Sequence, residues 1–380
     1  MPHAYASLVT TTLLAALLLI VRPAPDAATL AAAVQQGADR IVEMQQGADR
    51  SEWQYEGVYR VGGKIPEGYR VGGTAIAGEA LLRATGYATN GARKEAIARA
   101  TAFICEAINE PLLQVATYKG GYDVRAWGAC YGARFLLALK AHDAVPVGKS
   151  EAVEEALAFY IDALHRFEIP EVGGWNYARD AGVETASASS PFMTPACLQT
   201  LFAARAQGIK VDSGVVSRAL DALERCRTPD GNYAYASKGQ ARMDSKSIPG
   251  AVGRMVSAEA ALFLAGRSDA ARLRFAVDSF IQYWAELEKR RAKSGTHMPP
   301  YGVAPYYFWF AHYHAAQAVE LLPEGDRPSL RAALNWLLWQ TRTATGTWND
   351  RVFARSAAYG TAMAIMSVEM PKHSAPPGWN

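Results

Sequence analysis

The segment from Val172 to Ala236 reads VGGWNYARDAGVETASASSPFMTPACLQTLFAARAQGIKVDSGVVSRALDALERCRTPDGNYAYA. It begins with the turn Gly173-Gly174-Trp175-Asn176-Tyr177 and closes with Thr228-Pro229-Asp230-Gly231-Asn232-Tyr233. Paired glycines permit backbone angles that other residues resist, and Trp and Tyr supply large packing faces. The segment is therefore bounded by two aromatic-glycine turns.

Two helical patterns lie between these turns. Thr194-Pro195 opens an apolar run whose members stand three and four residues apart, as one helix face requires: Cys197, Leu198, Leu201, Phe202 and Ala204. Gly208 ends this helix, and Val211-Asp212 begins a second one with Val215, Val216, Leu220 and Leu223 on its apolar side. A hairpin of two such helices cannot bury its own apolar face, so something must stack against it, and a recurring unit along the chain would supply that partner.

The aromatic-glycine turns do recur. They are Trp53-Gln54-Tyr55, Gly120-Gly121-Tyr122, Gly173-Gly174-Trp175, Asp230-Gly231-Asn232-Tyr233, Pro300-Tyr301-Gly302 and Gly346-Thr347-Trp348. Between the aromatic positions 53, 122, 175, 233, 301 and 348 the steps are 69, 53, 58, 68 and 47 residues. The repeat is therefore irregular, with insertions in the turns.

A helical pattern precedes and follows each turn, and together these patterns predict six hairpins. The predicted pairs are 29–49 with 70–86, 91–109 with 126–142, 150–167 with 191–207, 212–227 with 250–266, 269–292 with 304–322, and 327–343 with 355–369. The second helix of each pair is the more apolar and is expected inside, with the amphipathic first helix outside. An open array would need polar end caps, which are not seen, so closure is favoured. We predict an all-α (α/α)6 toroid with inner and outer helix rings.

Bulk composition fits either one large repeat-built domain or two ordinary ones, and it gives no indication of a polyanionic partner. The 380 residues are 50% hydrophobic, and 39 basic residues against 36 acidic ones give a charge of +3 with no basic block, so no nucleic-acid partner is expected. We assign 29–370 to the toroid and 371–380 to a C-terminal tail. Cys105, Cys130, Cys197 and Cys226 lack metal or redox spacing and are expected to be small core residues, although a disulfide stays open.

The N-terminal segment 1–28 resembles a signal peptide. Leu8 to Val21 is a largely apolar run, followed by Pro- and Ala-rich sequence, and it is short for a membrane span. We expect an exported protein that touches a membrane only if this segment is an uncleaved anchor. Two short echoes, Gln35–Arg40 with Gln45–Arg50 and Tyr59–Gly63 with Tyr69–Gly73, carry no prediction.

The turns together with their Ala- and Leu-rich helices resemble the prenyltransferase and squalene-oxidase repeat, which forms the α/α toroids of protein prenyltransferase β-subunits and squalene and hopene cyclases. The residues that carry the resemblance are Gly173-Gly174-Trp175, Pro229-Asp230-Gly231-Asn232-Tyr233 and Gly346-Thr347-Trp348. The chain is more similar still to exported bacterial repeat proteins without an assigned reaction, through segments such as Tyr122–Gly128, Pro299–Tyr307 and Thr347–Phe353.

This sequence lacks the motifs on which the known reactions of this family depend. The Asp-x-Asp-Asp string with which the cyclases protonate their substrate is absent, and no Cys has an Asp two positions before it, as the zinc site of the prenyltransferases requires. A Cys-x-x-Gln thioester motif is absent as well. No cofactor and no metal site is therefore predicted.

The resemblance implies a ligand cup where the N-terminal ends of the inner helices meet. Helix N-termini carry unpaired N–H groups that favour anionic or polar ligands. By position, the candidate catalytic residues are Asp123, Arg254, Glu259, His312, His314, Asp350 and Arg355. The candidate ligand-binding residues are Trp127, Tyr131, Tyr306, Tyr307, Arg351 and Tyr359.

These candidates have structural interpretations too. His312 and His314 stand two residues apart and point about 200° apart on a helix, so they cannot both line one cavity. Either could serve as an acid or base, or simply be hydrogen-bonded among aromatic rings. Asp350 could cap a turn, and Arg254 or Arg355 could need only a carboxylate partner.

We predict a protein that binds a small-molecule, lipid or glycan ligand, isoprenoid-like or sugar, in its central cup, with catalysis uncertain. The alternatives are a glycan-active lyase or hydrolase, a divergent terpenoid-type enzyme, and a protein-interaction scaffold. Convergence of the catalytic candidates in one cavity would favour an enzyme.

Overall fold

The computed structural model describes residues 25–179, 181–236 and 247–379. These residues form twelve α-helices and no β-strand, only isolated β-bridges. In chain order the helices are α1 (Ala27–Glu43), α2 (Glu67–Arg83), α3 (Gly91–Glu106), α4 (Arg125–Ala141), α5 (Ser150–Phe167), α6 (Thr194–Ala206), α7 (Ser213–Cys226), α8 (Val252–Leu264), α9 (Ala270–Glu288), α10 (Tyr307–Leu321), α11 (Arg327–Gln340) and α12 (Ala357–Glu369).

The even-numbered helices form a closed inner ring. α2 packs on α4, α4 on α6, α6 on α8, α8 on α10, α10 on α12, and α12 returns to α2. The inner helices are buried nearly all round, whereas odd-numbered helices such as α5 and α7 bury one face. The predicted (α/α)6 toroid is therefore confirmed.

Three tryptophans join the rings at equivalent turns. The indole Nε1 of Trp53 donates to Ile41 O at 2.7 Å, that of Trp175 to Leu164 O at 2.8 Å and that of Trp348 to Leu338 O at 3.0 Å. Each acceptor is a carbonyl near the end of the preceding outer helix.

The same tryptophans also bind the next inner helix. Their backbone N–H groups donate to the hydroxyls of Thr74, Thr194 and Thr361, at 2.9 to 3.1 Å. Because Trp53, Trp175 and Trp348 are at most 1% exposed, the aromatic-glycine turns work as buried seams between neighbouring hairpins.

Glycines bring α2 and α4 into backbone contact. A Cβ on Gly68 would lie 2.2 Å from Val124 O, and one on Gly128 would lie 2.8 Å from the Cα of Gly68. A Cβ on Gly72 would meet the Trp127 ring at 2.2 Å. These glycines therefore set the spacing of the first two inner helices and seat Trp127 between them.

The first predicted helix, 29–49, is too long. α1 ends at Glu43, and Gly47 has a φ of +87°, which ends helical geometry there. The echoed sequence Gln-Gln-Gly-Ala-Asp-Arg is consequently helical at 35–40 and a turn at 45–50. Likewise Tyr-Arg-Val-Gly-Gly is irregular at 59–63 and helical at 69–73.

Residues 372–379, which we call the tail segment, run across the end of the ring formed by the C-terminal ends of the inner helices. The Trp379 ring lies 3.7 Å from the Arg205 guanidinium and 5.4 Å from the Phe202 ring. The backbone N–H of Trp379 donates to Leu264 O at 2.9 Å. The tail segment is thereby tied to α6 and α8.

All four cysteines are buried and free, as small core residues. The apolar run Leu8–Val21 lies outside the described residues. Within the described ranges, no helix has the length and apolar character needed to cross a membrane.

Candidate functional site

A tyrosine-rich cup lies at the N-terminal ends of the inner helices. Eight of its ten lining residues are tyrosines: Tyr55, Tyr59, Tyr69, Tyr122, Tyr177, Tyr235, Tyr306 and Tyr359, with Trp127 and Phe310. The cavity between them measures about 40 Å³, which holds no more than a few water molecules. The rings thus nearly fill the cup.

One side of the cup is a set of mutual ring contacts. Tyr55 lies 4.6 Å from Tyr359 and 5.8 Å from Trp127, measured between ring centroids, and Tyr69 meets Trp127 edge-on at 5.5 Å. The hydroxyls of Tyr69, Tyr177 and Tyr359 make no hydrogen bond within the described part of the chain. They are available to a ligand or to water.

A stacked pair stands at the mouth of the cup. The rings of Tyr59 and Tyr122 are 4.3 Å apart and inclined by 9°. Tyr122 is 48% exposed, so it covers the cup while remaining in contact with solvent. Separating this pair would widen the entrance.

Asp350 and Arg351 lie beside the cup, in the turn between α11 and α12. Neither carboxylate oxygen of Asp350 accepts a hydrogen bond from a described group, although the side chain is fully buried. Burial raises the pKa of Asp350 to about 7, against the opposing charge of Arg351. The group can therefore hold or release a proton near neutral pH.

Arg351 connects this acid to the aromatic wall. Its Nε donates to the Tyr55 hydroxyl at 2.9 Å, and its guanidinium lies 5.8 Å from the Tyr55 ring and 5.5 Å from the Tyr306 ring. Its Nη2 has no hydrogen-bond partner among the described residues. A buried cation with an open donor favours a polar or anionic ligand group.

A histidine surrounded by tyrosine hydroxyls forms another polar part of the rim. His297 Nε2 lies 3.2 Å from the Tyr235 hydroxyl and 3.3 Å from that of Tyr306, and its Nδ1 lies 3.1 Å from that of Tyr307. Arg254 supports this group from below: it donates to Tyr233 O at 2.7 Å, and its guanidinium lies 6.0 Å from the Tyr235 ring. The cluster can pass protons among its members.

The predicted catalytic residues do not converge. Asp123 pairs with Arg125 at 2.5 Å, and burial raises its pKa. Glu259 pairs with Arg227 at 2.9 Å and accepts from the Tyr233 hydroxyl at 2.8 Å. Both carboxylates are thereby placed in ion pairs of the framework.

His312 and His314 face opposite ways, as their spacing predicts. Trp284 of α9 donates to His312 Nε2 at 2.7 Å, whereas His314 Nδ1 lies 3.3 Å from Gln317 Oε1. Burial lowers the pKa of both to about 3, so both are neutral at physiological pH. Neither lines the cup.

Arg355 has a carboxylate neighbour, as its structural interpretation allows, because its Nη1 lies 3.8 Å from Glu56 Oε2. Its side chain is 48% exposed, and its Nε donates to Gln46 Oε1 at 2.8 Å. The 3₁₀ turn Ala354–Ser356 directs it to the outer rim rather than into the core. Of the seven catalytic candidates, only Asp350 is both buried beside the cup and without a hydrogen-bond partner.

The predicted ligand-binding residues gather more closely. Trp127, Tyr306 and Tyr359 line the cup, and Arg351 lies against its wall. Tyr131 lies beneath, 4.9 Å from the Trp127 ring, and Tyr307 stacks on Phe192 at 4.1 Å.

Sequence reasoning missed most of the cup. Tyr55, Tyr122 and Tyr177 belong to the aromatic-glycine turns and were interpreted as packing residues, whereas the structure gives packing to the tryptophans and the cup to these tyrosines. His297 is not among the predicted site residues. The available signal was the tyrosine that follows a turn tryptophan by two positions, as in Trp53-Gln54-Tyr55 and Trp175-Asn176-Tyr177.

No group of three or more His, Cys, Asp or Glu side chains in residues 25–179, 181–236 and 247–379 is arranged to hold a metal ion. The cup itself offers phenol hydroxyls, and the Asp350 carboxyl, the Arg351 guanidinium and the His297 imidazole lie next to its lining residues.

No protein-family model matches the chain, and no curated protein matches it. Several solved structures share its fold. The GH76A α-1,6-mannanase from Salegentibacter sp. HEL1_6 is 10% identical with a TM-score of 0.60, covering 90% of this chain and 99% of the mannanase. Unsaturated glucuronyl hydrolase from Streptococcus agalactiae is 12% identical with a TM-score of 0.60, covering 94% and 95%.

The type II terpene cyclase MstE from Scytonema is 13% identical with a TM-score of 0.50, covering 91% of this chain and 98% of the cyclase. At such identities the likeness concerns the fold alone. The chain has the fold of the α/α-toroid proteins.

Proposed function

We propose that the protein binds a glycan in the tyrosine-rich cup. The observation that carries this proposal is that eight tyrosines line the cup and that the hydroxyls of Tyr69, Tyr177 and Tyr359 have no protein partner among the described residues. Aromatic faces stack on the C–H faces of a sugar ring, while phenol hydroxyls pair with sugar hydroxyls. Behind the wall, Arg351 holds the Tyr55 hydroxyl and keeps an unused donor, and Asp350 lies beside it.

An isoprenoid ligand is the weaker alternative. A hydrocarbon chain would separate the phenol hydroxyls from water without giving them partners, which costs about 1–3 kcal/mol for each buried group. Two of the similar structures are by name a mannanase and a glucuronyl hydrolase, and one mannanase variant is in complex with α-1,6-mannotetrose. These names are compatible with a glycan but fix no substrate for this chain.

Asp350 favours a second candidate function, an acid-catalysed step on the bound glycan. A carboxyl with a pKa of about 7 can donate a proton to a leaving oxygen at neutral pH. Most glycoside hydrolases need a second carboxylate 5 to 10 Å away. Near the cup mouth, however, Glu52 and Glu56 are ion-paired with Arg70 and Arg60. Binding is therefore the primary proposal.

Three further assignments accompany the proposed function. We propose export directed by residues 1–28, a toroid domain over 29–370 with a tail over 371–380, and membership of the prenyltransferase and squalene-oxidase repeat family. A glycan ligand outside the cytoplasm agrees with export. If no small ligand binds, we propose instead that the protein is a protein-interaction scaffold.

The test is a screen of the purified chain against a glycan panel and a polyprenyl-lipid panel, by binding and by product detection. We expect saturable binding of at least one glycan and none of the lipids. Asp350→Asn should keep binding and abolish any turnover. Binding of polyprenyl lipids alone, or of neither class, would contradict the proposal.

A further inference from the structure

A second and larger cavity, the rear cavity, lies at the opposite end of the ring. It measures about 480 Å³, within the size range of small-molecule sites. The C-terminal halves of α2, α4, α6 and α10 form its walls, and the tail segment forms its roof with residues 372–377. It is separate from the tyrosine-rich cup.

Two arginines line the rear cavity with donors to spare. Arg83 bonds Glu79 through Nε alone, at 2.7 Å, so both of its Nη atoms are without a protein acceptor in the described part of the chain. Arg134 bonds Glu79 at 2.8 and 2.9 Å and the Tyr313 hydroxyl, which leaves its Nη1 open. Both arginines thus share Glu79, whose single negative charge balances only one of the two positive charges.

Two histidines stand next to these arginines. The ring of His142 makes no hydrogen bond to any described residue and lies 5.8 Å from the ring of His373, whose Nε2 faces Arg83 O at 3.0 Å. Lys372 also lines the cavity and pairs with Glu369 at 2.8 Å. Three permanent cations therefore face two carboxylates.

Part of the remaining wall is apolar and consists of the small or aliphatic side chains Leu137, Ala138, Ala141, Ala203 and Ala206. The polar side chains beside it already have protein partners: Gln199 pairs with Gln317, Gln207 donates to Leu137 O and Thr200 donates to Ala196 O. A ligand that fits both walls carries a negative group and a short apolar body.

We propose that the rear cavity binds a small organic monocarboxylate. The carboxylate accepts hydrogen bonds from Arg83, Arg134 and His142, and the apolar body lies along the alanine wall of α4 and α6. Charge-assisted hydrogen bonds of this kind are among the stronger ones in proteins. This site is independent of the proposed glycan function.

The histidines make binding pH-dependent. Burial, followed by the charge of Arg83, lowers the pKa of both His142 and His373. Smaller effects oppose this: the charge of Glu79 on His142, and the hydrogen bond to Arg83 O followed by the charge of Glu369 on His373. A bound carboxylate favours their protonated forms. It therefore raises both pKa values and binds more tightly as the pH falls below neutrality.

The test is an NMR titration of the His142 and His373 ring protons in the full chain with sodium butyrate. Butyramide serves as the uncharged isostere and sodium sulfate as the inorganic anion. We expect butyrate to shift both rings saturably and to raise both pKa values, butyramide to do neither, and sulfate to bind more weakly than butyrate.

Two variants sharpen the result. His142→Gln should weaken butyrate binding about tenfold, the loss expected for one hydrogen bond to a charged group, without unfolding the chain, because the ring makes no hydrogen bond. Lys119→Gln removes an exposed cation at the cup end and should change nothing. The proposal would be overturned if butyrate caused no saturable shift of the histidine ring protons, or if butyramide or sulfate bound as tightly as butyrate. It would also be overturned if His142→Gln bound butyrate with the affinity of the parent.

Discussion

At the scale of single residues, Asp350 shows how burial changes the protonation of a carboxyl group. Its carboxyl is fully buried, and its oxygens accept no hydrogen bond from the described residues. Because desolvation disfavours the charged form, its pKa rises to about 7 even though Arg351 follows it in sequence. A sequence pattern of Asn-Asp-Arg after a turn tryptophan does not reveal this, since it also fits ordinary turn capping.

The raised pKa predicts a pH effect on stability. The unfolded chain ionises Asp350 near pH 4 and the folded chain near pH 7, so folding takes up a proton between these values and stability falls as pH rises through that window. Asp350→Asn removes the titrating group and with it this loss. As the pH rises from 5 to 8, the free energy of unfolding of the variant should gain roughly 3 kcal/mol relative to that of the parent.

Urea unfolding of parent and variant at both pH values measures this difference. The buried His312 and His314 also affect the pH dependence, but they are present in both proteins and cancel. An identical pH dependence in parent and variant would show that Asp350 ionises normally.

Tyr122 is expected to act as a gate. It stacks on Tyr59 over a cup of only about 40 Å³, so a ligand has to displace it. With a glycan from the screen, Tyr122→Ala should raise the association and dissociation rates by similar factors and change the affinity little. Stopped-flow binding measures both rates. Phe275→Ala, at an exposed aromatic on the outer helix α9, should leave them unchanged, and a variant that alters only dissociation would argue against a gate.

At the scale of elements, the contact of α2 with α4 depends on glycine. Gly68→Ala would push a Cβ to 2.2 Å from Val124 O, and a backbone atom cannot move aside as a flexible side chain can. We expect a loss of about 2 kcal/mol or more in the free energy of unfolding. The matched control is Gly91→Ala at the start of α3, where nothing lies within 4 Å.

Urea denaturation of both variants tests this expectation. Gly91→Ala should stay within about 1 kcal/mol of the parent. Equal stabilities of the two variants would mean that α2 and α4 can separate without cost.

The elements also show what local sequence can and cannot decide. Apolar spacing and turn glycines correctly predicted α6 and α7, with the capping Asp212 whose side chain accepts from Gly214 N. Identical short sequences nevertheless adopt different structures. One pentapeptide is irregular at 59–63 and helical at 69–73, and one hexapeptide is helical at 35–40 and a turn at 45–50. Burial in the ring overrides local propensity there, so the boundaries of the first hairpin were not predictable from its sequence.

At the scale of the whole molecule, closure follows from the hairpin count and from the apolar second helices. The return contacts of α12 on α2 and α1 close the ring, so the last described hairpin packs on the first. The cup was harder to predict, because residues as distant as Tyr55 and Tyr359 meet only after closure. Sequence position located Trp127, Tyr306 and Tyr359 near the inner-helix starts but could not separate them from His312, which faces the outer ring.

Glycan binding by the cup is tested most directly by removing hydroxyls while keeping rings. The triple variant Tyr69→Phe, Tyr177→Phe and Tyr359→Phe preserves the aromatic wall, and Tyr87→Phe, at a half-buried tyrosine outside the cup, is its control. Isothermal titration with a glycan from the screen should show affinity at least about tenfold weaker for the triple variant and unchanged for Tyr87→Phe. Equal affinity of the parent and the triple variant would contradict the account.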